Sequence, residues 1–479
     1  MSPITVLLTI VCYFALLFGV SWWAGRGSNN AEFFNGGRKI KCYMFDFDTV
    51  GCMIYGVTFV YVPGMVAASG YGYLQMIAGF VVGQLLIAYV LVPLFYRMNL
   101  TSIYQYLEER FGITTYKTGA WFFFVSKMLG AAVRFYLVCL TLQLLVFEPF
   151  GLPFGLNVLI SMALVWLYTA QGGVKSIIWA DMLKSACLII SVMLSIWFIA
   201  KDLGFDFGGL CGTIWNAHDF MFLDDVNEPQ FFWKQFLAGI FTMIATNGLD
   251  QDMMQRNLSC RNSKDAQKNM ITSGLMQFPV IALFLFLGTL LYLYAEKHGI
   301  TAVKDELFPT VATQGGLPLI VGVLFIIGLV AAAYNAAGSA LTALTTSFTI
   351  DILHAKDRAE EALKTLRKKV HIILTIVMGL VIIVFGIFNN TSVIDAVYKL
   401  ASYTYGPILG LFTFGIFTKL QVRDKLLPIV AIIAPVICFI LDKNSVAWFG
   451  GYKFSYELLI MNAAFTFIGM LLISKGKKA

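Results

Sequence analysis

Apolar runs of about twenty residues, separated by short polar turns, follow one another from residue 4 to residue 474. A run of that length is what a helix needs to cross a hydrocarbon layer about 30 Å thick. The runs fall near 4–24, 44–70, 72–97, 118–147, 154–171, 174–200, 231–250, 271–296, 317–353, 370–389, 392–417, 424–441 and 456–474, which predicts thirteen transmembrane helices. The first has no basic segment before it and Arg26 after it, so it reads as a retained span rather than a cleaved leader.

Two of the runs are interrupted. The second reads FDTVGCMIYGVTFVYVPGMVAASGYG, with Gly51, Gly56, Pro63, Gly64 and Gly70, and the seventh ends ATNGLDQDMMQRN, with Gly248 before a polar turn. Unwound backbone at bilayer depth is tolerated only beside a cavity or within protein. In carriers built from inverted repeats, the first helix of each half is broken and helps form the binding site. Four spans separate the two breaks. That spacing predicts two five-helix repeats, 44–200 and 231–417, with an extra helix and loop over 1–43, an outside loop over 201–230 and two helices over 418–479. The ninth run, GLVAAAYNAAGSALTALTTSFTIDIL, gives up large side chains for small ones, which lets a neighbouring helix approach closely. Close packing explains its alanines but not the amide of Asn335.

Composition agrees with a polytopic membrane protein. Of 479 residues, 59% are hydrophobic and 13% charged, about half the charge expected of a soluble chain. Basic loops follow the first, third, seventh and ninth runs: Arg26 to Lys41, Arg97 to Lys117, Arg256 to Lys268 and Lys356 to Lys369. Lys475, Lys477 and Lys478 end the chain, and an acidic loop holds Asp202, Asp206, Asp219, Asp224, Asp225 and Glu228. The positive-inside rule then places the N-terminus outside and the C-terminus in the cytoplasm; the cell (inner) membrane is the expected location. The net charge of +7 is therefore topological and excludes a nucleic-acid partner. Eight cysteines and four histidines form no metal or disulfide spacing, and no catalytic constellation is visible, so no enzyme is expected.

Ionisable residues inside spans each cost about 2.5–3.5 kcal/mol at a helix centre by insertion scales, so they face a cavity or a partner. Here they are Lys127 and Arg134, Asp181 and Lys184, and Asp395 and Lys399. The last two couples share a helix face at three- and four-residue spacing, which also suits plain helix packing.

The segments AEFFNGGRKI, LTSIYQYLEERFG, GLDQDMMQRNLSCRN, FTIDIL and YTYGPILGLFTFGIFTK, in that order and spacing, resemble the sodium:solute symporter family over about residues 1–420. The resemblance is greatest to bacterial members of undefined substrate, related to sialic acid, sugar and proline carriers. It implies an all-α leucine-transporter-type fold of 5+5 inverted repeats, alternating access, and sodium sites between the first and eighth core helices. The principal sodium site matches carbonyls at Gly51 and Ile54 and, on the eighth core helix, Ala332, Tyr334, Asn335 and Ala336, where both expected hydroxyls have changed. The auxiliary site matches Asp181, Gly338 and Ser339, lacking an acceptor at 338, and the usual T-D-x-x-Q reads ADMLK, with Lys184 in place of glutamine. Two readings stay open. Either the Lys184 ammonium occupies the sodium position and makes transport sodium-independent or proton-linked, or Asn335 compensates and sodium still binds.

By position, the resemblance puts Tyr55, Thr58 and Gln75 against the solute, Lys399 where a sugar-recognising glutamine sits, and Arg134 one turn beyond a carboxylate-holding arginine. Asn247 joins them from the second break, and Tyr334, Tyr398 and Tyr403 are placed to stack on a ring. The expected solute is small and polar, anionic or sugar-like: two cations near the cavity favour an anion, unless Asp395 neutralises Lys399 and Arg134 caps helix ends. No cofactor is implied beyond sodium or a proton as coupling ion. The expected partners are the bilayer and a small solute, with the chain acting as a monomer. A solute sensor on the same scaffold is the alternative class. The C-terminal segment SKGKKA is too short for the output domain a sensor would need.

Overall fold

The computed structural model describes residues 2–25, 56–98, 100, 102–258, 260, 262–302, 304–355, 359–388 and 393–477, without the side chains of 3, 20–25, 56–58, 168, 170–184, 207, 305, 335, 393–396, 398 and 476–477. Helix dominates: α1 Pro3–Gly25, α2 Gly56–Gly64, α3 Tyr73–Arg97, α4 Ile113–Leu142, α5 Phe154–Leu203, α6 Phe207–Ala217, α7 Phe232–Met243 and α8 Gln251–Leu258. After these come α9 Ser263–His298, α10 Leu319–Ser347, α11 Glu360–Phe388, α12 Val393–Phe417, α13 Leu427–Trp448 and α14 Leu458–Leu472. Among the described residues, eight helices are long and apolar enough to cross a membrane, and Ile4–Gly19, Phe154–Leu167 and Leu458–Leu472 are shorter apolar helices.

The spans near 154–171 and 174–200, expected as separate helices, form one helical stretch of 50 residues. At about 1.5 Å per residue it is far longer than one crossing needs. Its two ends meet different neighbours. Met162 lies against Gly379 of α11, and Thr169 bonds His371 of α11. Leu188 instead meets Gly328 of α10, where an added Cβ would come within 2.9 Å of its Cδ2. The small residues of the ninth run thus make room for the second half of α5.

Residues 44–55 of the expected span 44–70 lie outside the described residues; the described parts of the other expected spans recur with shifted ends, as for α9, which begins at Ser263 under an Asn262 cap (Oδ1 to the Asp265 amide, 2.8 Å). A close crossing joins α3 to α7. A Cβ on Gly79 would run into the Phe236 carbonyl oxygen, and one on Gly239 into the Met76 carbonyl oxygen. Small residues buried on facing helices are how membrane helices pack closely without a hydrophobic driving force.

Three features carry no span signal in the sequence. The acidic loop contains α6, capped by Asp206 (Oδ1 to the Gly209 amide, 2.8 Å). A short helix, Gln105–Arg110, follows α3. A two-stranded antiparallel ribbon pairs β1 Leu420–Val422 with β2 Ser474–Lys477 and fastens the end of α14 beside the end of α12.

Candidate functional site

The second break is a local consequence of its sequence. After α7 the chain makes a π-helical turn, Ile244–Gly248, leaves the helix at Leu249 and Asp250, and restarts as α8. Gly248 lies against Ile87 and Leu91 of α3, where a Cβ would come within 2.7 Å of Leu91 Cδ1. Asp250 then starts the new helix: its Oδ1 accepts the amides of Asp252 (2.9 Å) and Met253 (3.4 Å). That is N-cap chemistry, with a carboxylate at the positive end of the helix. The carbonyl freed at Leu249 accepts the Tyr104 hydroxyl at 2.8 Å. Burial, with the fields of Asp250 and Asp351 added, holds the Tyr104 phenol far above its ordinary pKa, so it remains a donor.

Around this break lies a buried ionic cluster. Lys127, near the middle of α4, reaches Asp250 Oδ1 at 3.1 Å and Asp252 Oδ2 at 2.8 Å. The Tyr405 hydroxyl of α12 donates to Asp250 Oδ2 at 2.6 Å. Arg256 Nε stands 3.5 Å from Asp252 Oδ1, one turn along α8. Ser339 of α10 donates to Asp252 Oδ1 at 2.6 Å and accepts from Arg256 Nη2. Two carboxylates thus face two cations, all buried. A buried charge is tolerated when paired and hydrogen-bonded, and this set meets both conditions. Next to Lys127 and Tyr405, the hydroxyls of Ser126 and Thr404 also bond, drawing α4 to α12.

Asn247, one turn before the cluster, is 5% exposed, and its Nδ2 finds no acceptor among the described residues. Arg134, two turns beyond Lys127 on α4, lies within electrostatic reach of Tyr405. An amide donor and a guanidinium near a helix break suit a small solute bearing a carboxylate.

Other expected residues have different partners. Gln75 is 3% exposed and its amide is fully engaged: Nε2 donates to the carbonyls of Gly72 (3.1 Å) and Gln230 (3.0 Å), and Oε1 accepts from the Phe222 amide (3.0 Å). It anchors the acidic loop. Lys399, 52% exposed, pairs with Asp442 of α13 at 3.3 Å, and Tyr403 donates to the same carboxylate at 2.9 Å. Tyr334, expected to stack on a ring, is 1% exposed and wedged edge-on between Phe14 and Phe135, so it belongs to the core. Ala332 is buried and Ala336 half-buried, and neither side chain offers oxygen. Gly51, Ile54 and Tyr55 lie outside the described residues, as do the side chains of Thr58, Asp181, Lys184, Asn335 and Tyr398.

The sequence reading took Arg256 for a loop charge and left Asp250, Asp252 and Tyr405 unassigned. The signal was there: D-x-D-x-x-x-R directly after a helix break puts charges where no water is. Among the described residues, no group of three or more His, Cys, Asp or Glu is arranged to hold a metal ion.

A discontinuous helix held by buried charged partners in a helical bundle of this size is the architecture of a leucine-transporter-type secondary carrier. The model of the sodium:solute symporter family matches residues 33–423, and the chain belongs to that family. Among relatives, the sodium/sialic acid symporter NanT of Aliivibrio fischeri is 25% identical over 90% of this chain and 86% of its own length. The sodium/sialic acid symporter SiaT of Proteus mirabilis is 24% identical over 84% of this chain and 82% of its own. Among solved structures, a substrate-bound, outward-open Na+-coupled sialic acid symporter superposes with a TM-score of 0.84 at 19% identity, covering 98% of this chain and 99% of that one. Mhp1, a nucleobase-cation-symport-1 transporter, gives 0.62 at 11% identity over 93% of this chain and 95% of its own.

Proposed function

We propose that the protein carries a small, carboxylated or otherwise anionic organic solute across the cell's inner membrane by alternating access, with Lys184 standing in for the sodium ion of its relatives. The solute binds beside Asn247 and Arg134. The cluster of Lys127, Asp250, Asp252, Arg256 and Ser339 closes the path toward the cytoplasm. The observation that carries this reading is the break at Leu249–Asp250, capped by Asp250 and pinned through Lys127 and Tyr405 to two other helices. Ser339 supports the sodium-poor reading, because its hydroxyl is already engaged by Asp252 and Arg256, while Ala336, at a position where a hydroxyl is expected, brings no side-chain oxygen. A sodium ion needs several hard oxygen ligands to replace its hydration shell.

A second reading, a conventional sodium-coupled symporter of a sialic acid or another carboxylate, is favoured by the sodium/sialic acid symporters among the relatives. Uptake of labelled sialic acid and smaller carboxylates into proteoliposomes, with sodium and proton gradients varied separately, decides between them. The first reading expects uptake without sodium, by exchange or with protons, and about tenfold or greater loss of affinity in Arg134→Gln. Steep sodium dependence overturns the lysine substitution and leaves the carrier. Saturable binding without flux in either gradient overturns the carrier.

A further inference from the structure

Between the first half of α5 and α11 lies a membrane-facing groove of about 440 Å³, lined entirely by apolar side chains apart from Thr375. Gly155, Ala163 and Gly379 open it; a Cβ on Gly379 would stand 3.6 Å from Met162 Cγ, the nearest atom below. Ile376 and Leu380 flank it and remain more than half exposed within the bilayer. Hydrocarbon tails are as apolar as these walls, so no hydrophobic drive distinguishes one chain in the groove from another. Selectivity has to come from whatever lies at the groove's mouth.

The mouth is cationic. Along α11, Lys364, Lys368, Ile372, Ile376 and Leu380 follow at intervals of four, so a single inclined row runs from two lysines into the groove. Lys369, three residues before Ile372, adds a third ammonium, and all three lysines are exposed. Glu360 and Glu361 lie a turn further out, beyond Lys364. Trp166 stands on the facing segment near this end, a residue type that favours the headgroup level. Lysines can lie along a helix and lift their ammonium groups to that level.

We propose that this groove is a specific site for an anionic phospholipid, one acyl chain lying against Gly379 and the phosphate held by Lys368 and Lys369. The site is separate from the solute path and follows from the surface geometry of α5 and α11 alone. Juxtamembrane lysines near an anionic surface attract it with an energy equivalent to about fivefold in affinity each.

The test uses the full chain in nanodiscs of phosphatidylcholine with graded phosphatidylglycerol, counting retained lipid by native mass spectrometry. The wild type retains one phosphatidylglycerol in preference to phosphatidylcholine. The double variant Lys368→Gln/Lys369→Gln retains it about thirtyfold less tightly. Gly379→Leu fills the groove and releases the lipid with every charge in place, and Ile376→Trp does so from the bilayer side should the first variant fail to fold. The control Lys264→Gln/Lys268→Gln removes two exposed lysines of another basic loop and leaves retention unchanged. Equal loss in the control would mean general surface charge and sink the proposal. Full retention in folded Ile376→Trp, or equal retention of phosphatidylcholine by the wild type, would sink it as well.

Discussion

Ser339 sits where two accounts of the site meet. Its family match is to an auxiliary sodium site, yet its hydroxyl donates to Asp252 at 2.6 Å and accepts from Arg256. Ser339→Ala leaves a carboxylate oxygen and a guanidinium N–H short of one partner each, both buried, at a cost of about 1–3 kcal/mol. Thermal unfolding in detergent should therefore fall by a few degrees, and by the same amount with sodium or with potassium. A variant that loses a stabilisation present only in sodium would make Ser339 a cation ligand and restore the conventional symporter. The sequence marked Lys127 as a charge needing a partner, but the carboxylates it found lie 123 and 125 residues further on. A helical period cannot supply that distance; only the fold does. Arg256 was misread for a related reason, since a basic residue after an apolar run looks the same whether it faces water or a buried carboxylate.

Elements were more legible than contacts, because a bilayer demands about twenty apolar residues per crossing and the chain has little freedom to disguise them. What stayed hidden are features that polar sequence makes with polar sequence, such as α6 and the two-stranded ribbon of Leu420–Val422 with Ser474–Lys477. Helix-to-helix distance was legible only as a tendency: many glycines fall inside runs, but nothing in the pattern said that Gly79 and Gly239 face one another. Their crossing makes a sharp expectation. Gly79→Leu or Gly239→Leu places a side chain against a backbone carbonyl that cannot turn away, so α3 and α7 must separate. Overpacking of this kind costs about 1–3 kcal/mol or more, to be read as a lower midpoint of thermal unfolding. Gly130→Leu, on a helix face with open space at that position, is the comparison and should change little. Equal behaviour of the three variants would remove the close crossing as a structural constraint.

Across the whole molecule, the ionic cluster joins the broken segment to α4, α10 and α12, and in its proposed role as a gate it would hold the path past α8 shut. Opening exchanges paired charges for hydrated ones, a near-balanced trade once water enters, which is why a gate can be built from charge at all. A solute shifts such an equilibrium only through its differential affinity for the two states. Cys260 is buried at 1% exposure in the segment joining α8 to α9, which a gate opening past α8 would expose. With the other cysteines replaced, its maleimide labelling should be slow, because reaction waits on the open state. Lys127→Ala leaves the cluster's two carboxylates with one cation, Arg256, and so strands one buried negative charge; it is expected to cost the closed state about 3–5 kcal/mol, enough to raise labelling by two orders of magnitude or more. Adding Asp252→Asn to Lys127→Ala removes one stranded charge and should slow labelling again, although it deletes a further ionic contact. That reversal separates a gate from general loosening, in which the second substitution would speed labelling further. Unchanged labelling in Lys127→Ala would mean that the cluster braces the fold and that the path opens elsewhere.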